Sequence, residues 1–189
     1  MQDQITYLIL AGGRGQRMDG IDKGLMQWQE KPMIEHILGH LKVPSEKIII
    51  SANRNIETYQ QYSSTIIEDQ LDDYQGPLAG ILSAMQVCTT PYLLCIPCDT
   101  PAPPENMLQQ LWQCMQDANK SAALCHDGDR LQPLFSLMNC QHKQLLSDFL
   151  QQGRRKVHDF MNLIDPAICD FSLQKNSFNN FNRPDDMKT

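Results

Sequence analysis

Four short apolar runs recur along the first half of the chain: "ITYLILA" (5–11), "KIIISA" (47–52), "TIIED" (65–69) and "YLLCIPCD" (92–99). Their apolarity is continuous rather than alternating, the pattern of strands covered on both faces, as in a parallel sheet between layers of helices. The segments between them carry a different period. Ile34, Ile37, Leu38 and Leu41 recur at helical spacing, as do Leu78, Ile81, Leu82 and Met85, so each set forms one stripe facing a sheet. Pro32 and Pro77 stand where these helices begin, the position at which a missing N–H costs nothing. The order β-α-β-α-β-α-β follows, and with it an α/β fold around a mostly parallel sheet.

Beyond Asp99 the pattern predicts a helix around Leu108, Leu111, Trp112 and Met115, strands near "AALCHD" and "PLFSLM", and a helix carrying Leu145, Leu146, Phe149 and Leu150. The tail from Asn176 has no apolar period and is expected to be a loop returning to the site. A length of 189 residues suits one domain with a proper core. We therefore expect a single domain over 1–189.

Composition narrows the function. A formal net charge of −6 argues against general nucleic-acid binding, which would need a basic footprint, so an anionic ligand must be held locally. No segment approaches the length needed to cross a bilayer, and "MQDQITYLILAGG" lacks the basic n-region of a signal peptide. A cytoplasmic protein without membrane contact is expected. The seven cysteines, Cys88, Cys95, Cys98, Cys114, Cys125, Cys140 and Cys169, read as reduced core thiols rather than disulfides. Cys95 and Cys98 are three apart in a predicted strand, hence on opposite faces, and no second pair completes a zinc site. His36 and His40 share a helical face but have no third ligand, and read as surface histidines.

The most informative stretch is "LILAGGRGQRMDGIDKGL" (8–25), an apolar run that breaks into glycines and then cations. Ligands of parallel α/β sheets collect at the carboxyl ends of strands, where this loop lies. Gly12, Gly13 and Gly15 allow backbone N–H groups to converge on phosphate oxygens, and Arg14, Arg17 and Lys23 add charge. Two common phosphate motifs fail here. The P-loop needs Ser or Thr after its lysine, whereas Lys23 is followed by Gly24; the dinucleotide motif needs a third glycine, whereas Met18 stands there.

The loop resembles instead the nucleotidyltransferase signature L-A-G-G-x-S/A/G-x-R-M followed by a lysine. Within that superfamily "LAGGRGQRMDGIDKGLMQWQEKPMIEHIL", "SANRN", "IIEDQLDDYQGPLAG", "CIPCDTP", "HDGDRLQPLFSLMN", "GRRKV" and "NNFNRPDDM" resemble, in order, the molybdenum cofactor guanylyltransferase family. The resemblance implies a three-layer α/β/α, Rossmann-like nucleotidyltransferase fold with a nucleotide-binding half (1–100) and an acceptor-binding half (101–189). It also implies transfer of GMP from GTP to molybdenum-molybdopterin, with release of pyrophosphate and with Mg²⁺ as cofactor. Transient contact with a molybdenum-insertion protein and molybdoenzyme apoproteins would follow, and a monomer is expected.

Such a reaction needs little from a protein nucleophile, because the attacking phosphate is already anionic; charge neutralisation and alignment carry it. The resemblance makes Arg17, Lys23 and Asp99 catalytic. Arg17 and Lys23 would neutralise the β- and γ-phosphates, and Asp99 would hold the metal, although an Asp before Thr-Pro taken alone reads first as a turn cap. Nucleotide contacts carry over to Leu10, Ala11, Gly12, Gly13, Lys23, Asn53, Asp69 and Asp99; unaided, Asn53 reads as a turn residue and Asp69 as part of a solvated acidic run. Gly76, Gly80, Arg155, Lys156, Asn180 and Asn182 are implied to face the molybdopterin, although Gly76 and Gly80 also suit plain helix packing and "GRRKV" a solvated basic face. Asp19 and Gln75 depart from residues common in the family. A molybdopterin cytidylyltransferase or a sugar-phosphate nucleotidyltransferase shares the fold and loop, and a non-catalytic nucleotide-binding adaptor would have to lack Asp99, Arg17 or Lys23.

Overall fold

The computed structural model describes residues 1–12, 22–68 and 76–181. Strands β1 (Ile5–Leu10), β4 (Ile48–Ser51), β5 (Thr65–Ile67), β6 (Tyr92–Pro97), β7 (Ala122–His126), β8 (Leu131–Asn139) and β9 (Ala167–Asp170) form one sheet in the order β5-β4-β1-β6-β8-β7-β9. β8 alone runs against its neighbours β6 and β7; the remaining pairings are parallel. The mostly parallel α/β sheet expected from the continuous apolar runs is thus present. All six residues of β1 and all four of β4 are buried, as strands covered on both faces require.

Side chains of β1 divide between two cores. Ile5, Tyr7 and Ile9 pack with Ile34 and Ile37 of α1 (Met33–Leu41) and with Leu108, Leu111 and Met115 of α4 (Met107–Asp117). Leu8 and Leu10 pack on the other face with Leu78, Ile81 and Leu82 of α3 (Pro77–Val87), with Leu146 and Phe149 of α5 (Lys143–Gln151), and with Phe160 and Met161 of α6 (Val157–Ile164). A short helix, α2 (Ile56–Tyr59), follows β4. Pro77 occupies the first turn of α3, as its missing N–H predicts, while Pro32 stands one residue before α1. No helix among the described residues is long and apolar enough to cross a membrane.

Several elements exceed the expectation. A two-stranded hairpin, β2 (Gln27–Trp28) with β3 (Lys31–Pro32), precedes α1. His36 is half-buried rather than on the surface: its Nε2 lies 2.7 Å from the Trp28 carbonyl and its ring meets the indole edge-on. Helix α6 and edge strand β9 were not read from the apolar pattern. β9 buries only alternate residues, so its period is two within a four-residue span. The cysteine expectation is corrected in one respect. Cys114 of α4 and Cys169 of β9 form a disulfide, because α4 packs across the buried face of β9 and brings the Cα atoms to 5.9 Å. Cys88, Cys95, Cys98, Cys125 and Cys140 are free, and Cys95 and Cys98 belong to cores on opposite faces of the sheet.

Candidate active site

The carboxyl ends of β1 and β6 open into a cleft of about 570 Å³. Leu10, Ala11 and Gly12 line it from β1, and Pro97, Cys98 and Asp99 from β6. Lys23, Arg54, Pro77, Gln132, Pro133, Leu134, Phe135, Lys156, Val157, His158 and Asn180 complete its wall. Residues more than a hundred positions apart therefore meet on one rim, the place where ligands of such sheets collect.

Lys23 reaches across this rim, its Nζ donating to Asp99 Oδ2 at 3.3 Å. What aims it is a buried acid to which the sequence motif assigns no role. Asp22, 7% exposed, caps the short 3-10 turn Lys23–Leu25 by accepting from Gly24 N at 3.2 Å. Tyr59 Oη donates to the same oxygen at 2.6 Å, Asn55 Nδ2 donates to Oδ2 at 2.9 Å, and Arg54 Nε lies 3.8 Å from Oδ2. A buried carboxylate needs such company, since an unpaired one would cost several kcal/mol. Burial, with Cys98 and Asp22 adding to it, raises the Tyr59 phenol far above its ordinary value, so it stays a donor. Gly24 fits because a Cβ there would stand 2.5 Å from Tyr59 Oη. The turn that carries Lys23 is thereby fixed from beneath.

Asp99 is fixed by the returning tail. Phe181 N donates to the Asp99 carbonyl at 2.8 Å, Thr100 Oγ1 donates to Asn180 Oδ1 at 3.1 Å, and the Phe181 ring rests on Trp28. Phe178, packed against Phe135 and Phe171, anchors this segment in the core. Burial first, then the Asp99 and Asp22 charges, push the Cys98 thiol up, so it is an inert neighbour and not a nucleophile.

Of the residues singled out in the sequence, Leu10, Ala11, Gly12, Lys23, Asp99, Lys156 and Asn180 line the cleft. Asn53 stands at its edge, its Nδ2 3.2 Å from where a Cβ on Gly12 would be. Gly76 has φ +81°, a left-handed conformation that turns the chain into α3. Gly80 lies beneath the cleft floor, with Ser51 Oγ 2.6 Å and Leu10 Cδ2 3.2 Å from a Cβ placed on it. Its surroundings are those of close helix-to-sheet packing. Arg155 donates through Nη1 to the carbonyls of Leu150 and Arg154 at 2.5 and 2.7 Å, which closes the end of α5. Gly13, Arg14, Gly15, Arg17, Met18, Asp19, Asp69, Gln75 and Asn182 lie outside the described residues.

Asp22, Arg54, Asn55 and Tyr59 are the additions that the structure makes. One signal for Asp22 is present in "DKGL", an Asp immediately before a three-residue turn, the usual position of a cap. Nothing local announces Tyr59, whose partner is 37 positions away. No group of three or more His, Cys, Asp and Glu side chains assembles among the described residues. Among the residues lining the cleft, Asp99 is the carboxylate that could hold a hard cation, whose other ligands would come from phosphate and water.

Comparison with known proteins matches this arrangement. The model of the MobA-like NTP transferase domain matches residues 7–165. The molybdenum cofactor guanylyltransferase of Mannheimia succiniciproducens is 42% identical over 185 residues, 98% of this chain and 97% of that protein. Its namesake from Histophilus somni is 39% identical over 188 residues, 100% of this chain and 96% of that one. Among solved structures, molybdopterin-guanine dinucleotide biosynthesis protein A of Archaeoglobus fulgidus superposes with a TM-score of 0.76 at 22% identity, covering 97% of this chain and 95% of that one. With full-length identity at this level, and with the cleft at the strand ends where a nucleotidyltransferase needs it, the chain belongs to the molybdenum cofactor guanylyltransferase family.

Proposed function

We propose that this protein transfers GMP from GTP to molybdenum-molybdopterin, forming the guanine dinucleotide cofactor and releasing pyrophosphate. The observation that carries the reading is the Lys23–Asp99 pair, set where β1 and β6 end, in a cleft also walled by the second half of the chain. The terminal phosphate of the acceptor attacks the α-phosphorus of GTP, the new P–O bond forms, and the bond to the β-phosphate oxygen breaks. No proton transfer is required, so the burden falls on charge and alignment.

Backbone groups of Leu10, Ala11, Gly12 and Gly13 cradle the nucleotide, with Asn53 and Asp69 toward the nucleoside. Lys23, together with Arg17, neutralises the triphosphate and the departing pyrophosphate. Asp99 would hold Mg²⁺, which supplies charge neutralisation between the phosphates when bound. Residues 1–100 serve the nucleotide and 101–189 the acceptor. Lys156, at the start of α6, and Asn180, beside Asp99, face the acceptor phosphate, with Gly76, Arg155 and Asn182 as further acceptor-side positions and Gly80 packing α3 against the sheet beneath them. We infer a monomer that works in the cytoplasm and meets a molybdenum-insertion protein and apoenzymes transiently, with no nucleic-acid or membrane partner.

The test is to offer GTP, CTP and ATP in turn with Mg²⁺ and molybdopterin and to separate the products. A guanine dinucleotide from GTP alone is expected. Product from CTP and none from GTP would replace this reading with the cytidylyl enzyme, and transfer to a sugar phosphate would replace it with the sugar-phosphate one.

A further inference from the structure

The hairpin between β7 and β8 holds an arrangement that the phosphate chemistry leaves unused. Asp127 is 4% exposed, yet its carboxylate is fully engaged. Oδ1 accepts from the backbone N–H groups of Asp129 and Arg130 at 2.9 and 2.8 Å, and Oδ2 accepts from Gln132 Nε2 at 2.6 Å, with Arg130 Nε 3.7 Å away. Burial alone would raise this acid, but the Arg130 N–H, the Gln132 amide and the Asp129 N–H outweigh it and hold it at about 2. The group is therefore ionised and can only accept. Gln132 must turn its NH₂ toward Asp127, so the acceptor that this cleft-lining side chain keeps for other groups is its carbonyl oxygen.

The strand changes register at this point. Leu124 pairs with Ser136 but Cys125 pairs with Gln132, so Pro133, Leu134 and Phe135 form a bulge, a device that re-aims side chains beside active sites. Pro133 and Leu134, with Pro77 and Val157 opposite, give this end of the cleft apolar walls around one oriented acceptor. Gln132 lies on β8, beyond β6, whereas Asn53 follows β4 on the far side of β1. Three strand spacings, about 14 Å, separate the two strands.

We propose that Gln132 is a specificity residue for the acceptor: its Oε1 accepts a hydrogen bond from the exocyclic 2-amino group of a pterin-type ring seated against Pro133 and Leu134, and Asp127 positions it. The inference rests on the acceptor reading given above. Of the N–H-bearing rings in the proposed reaction, the pterin of the acceptor fits this end of the cleft, because the nucleotide enters from the β1–β4 side.

The probes are a pterin carrying a short alkyl phosphate at C6, followed by its own fluorescence, and the matching lumazine, which has a carbonyl in place of the 2-amino group. The native protein is expected to bind the pterin about tenfold more tightly, the equivalent of one hydrogen bond. Gln132→Met should lose that factor and the discrimination, with GTP affinity, titrated separately, unchanged. Asp127→Asn keeps an oxygen for the two backbone N–H groups but offers Gln132 a donor, so the glutamine amide inverts. The pterin preference should then shrink or reverse, a change that a merely weakened hairpin would not produce, since it would affect both probes alike. Unchanged pterin binding and discrimination in Gln132→Met, or a loss confined to GTP, overturns the assignment while leaving the acceptor reading intact. Failure of the native protein to bind either probe overturns both.

Discussion

Lys23 Nζ lies 3.3 Å from Asp99 Oδ2, tying the turn after β1 to the end of β6. The two side chains are 34% and 18% exposed, a setting in which an ion pair contributes about 1 kcal/mol or less to stability. Asp99→Asn and Lys23→Met should therefore each move the melting temperature by no more than about 4 °C. Transfer of GMP should fall by roughly a hundredfold or more. Calorimetry beside a product assay checks this; full turnover in Asp99→Asn would remove the metal and catalytic roles proposed for it.

The support beneath Lys23 makes a different prediction. Tyr59→Phe deprives the buried Asp22 carboxylate of its shortest hydrogen bond and should cost about 1–3 kcal/mol. Gly24→Ala places a Cβ 2.5 Å from the Tyr59 hydroxyl and should also destabilise. Combining them removes the clash, so the double variant should lose less than the summed single losses by about 1 kcal/mol or more. Simple additivity in urea unfolding would show that the two positions do not press on each other.

Gly80 separates packing from ligand contact. Its added Cβ would meet Ser51 Oγ at 2.6 Å, so Gly80→Ala should cost about 1–3 kcal/mol of stability with the acceptor KM unchanged. A raised acceptor KM at unchanged melting temperature would instead make Gly80 part of the acceptor surface.

Asp127 sets a pH dependence. Its folded value of about 2 lies below the ordinary 3.8, so its contribution is present above roughly pH 4 and is lost as pH falls toward 2. Asp127→Asn should accordingly be less stable than the native protein at pH 7, and the gap should close between pH 4 and 2. A gap that stays constant over that range would show that the ionised carboxylate is not what holds the hairpin.

Much of the architecture was legible because it rests on local pattern. The continuous apolarity of "ITYLILA" and "YLLCIPCD" encodes strands buried on both faces, and the stripes of α1 and α3 encode their single contact with the sheet. β9 was not legible, since four residues with two turned inward give too little periodicity, and the Cys114–Cys169 disulfide depends on that missing strand. That Lys23 and Asp99 share one cleft was legible from motif, and the tail, expected to return to the site, does so at Asp99. Tyr59 and Asp127 were not. Tyr59 is an ordinary core aromatic until the fold sets it against Asp22, and Asp127 gains Gln132 as a partner only where the β7–β8 hairpin closes.

The reversed direction of β8 has a consequence for how such an enzyme changes over time. Because β8 starts at the rim where β1 and β6 end, the β7–β8 hairpin reaches the cleft without passing through the nucleotide-side loops. Substitutions in that hairpin change the cleft wall at Gln132, Pro133 and Leu134 while β1 and β6 keep their register. On the proposed division of the cleft, donor choice and acceptor choice would be separately inheritable, so that a lineage exchanges one without rebuilding the other.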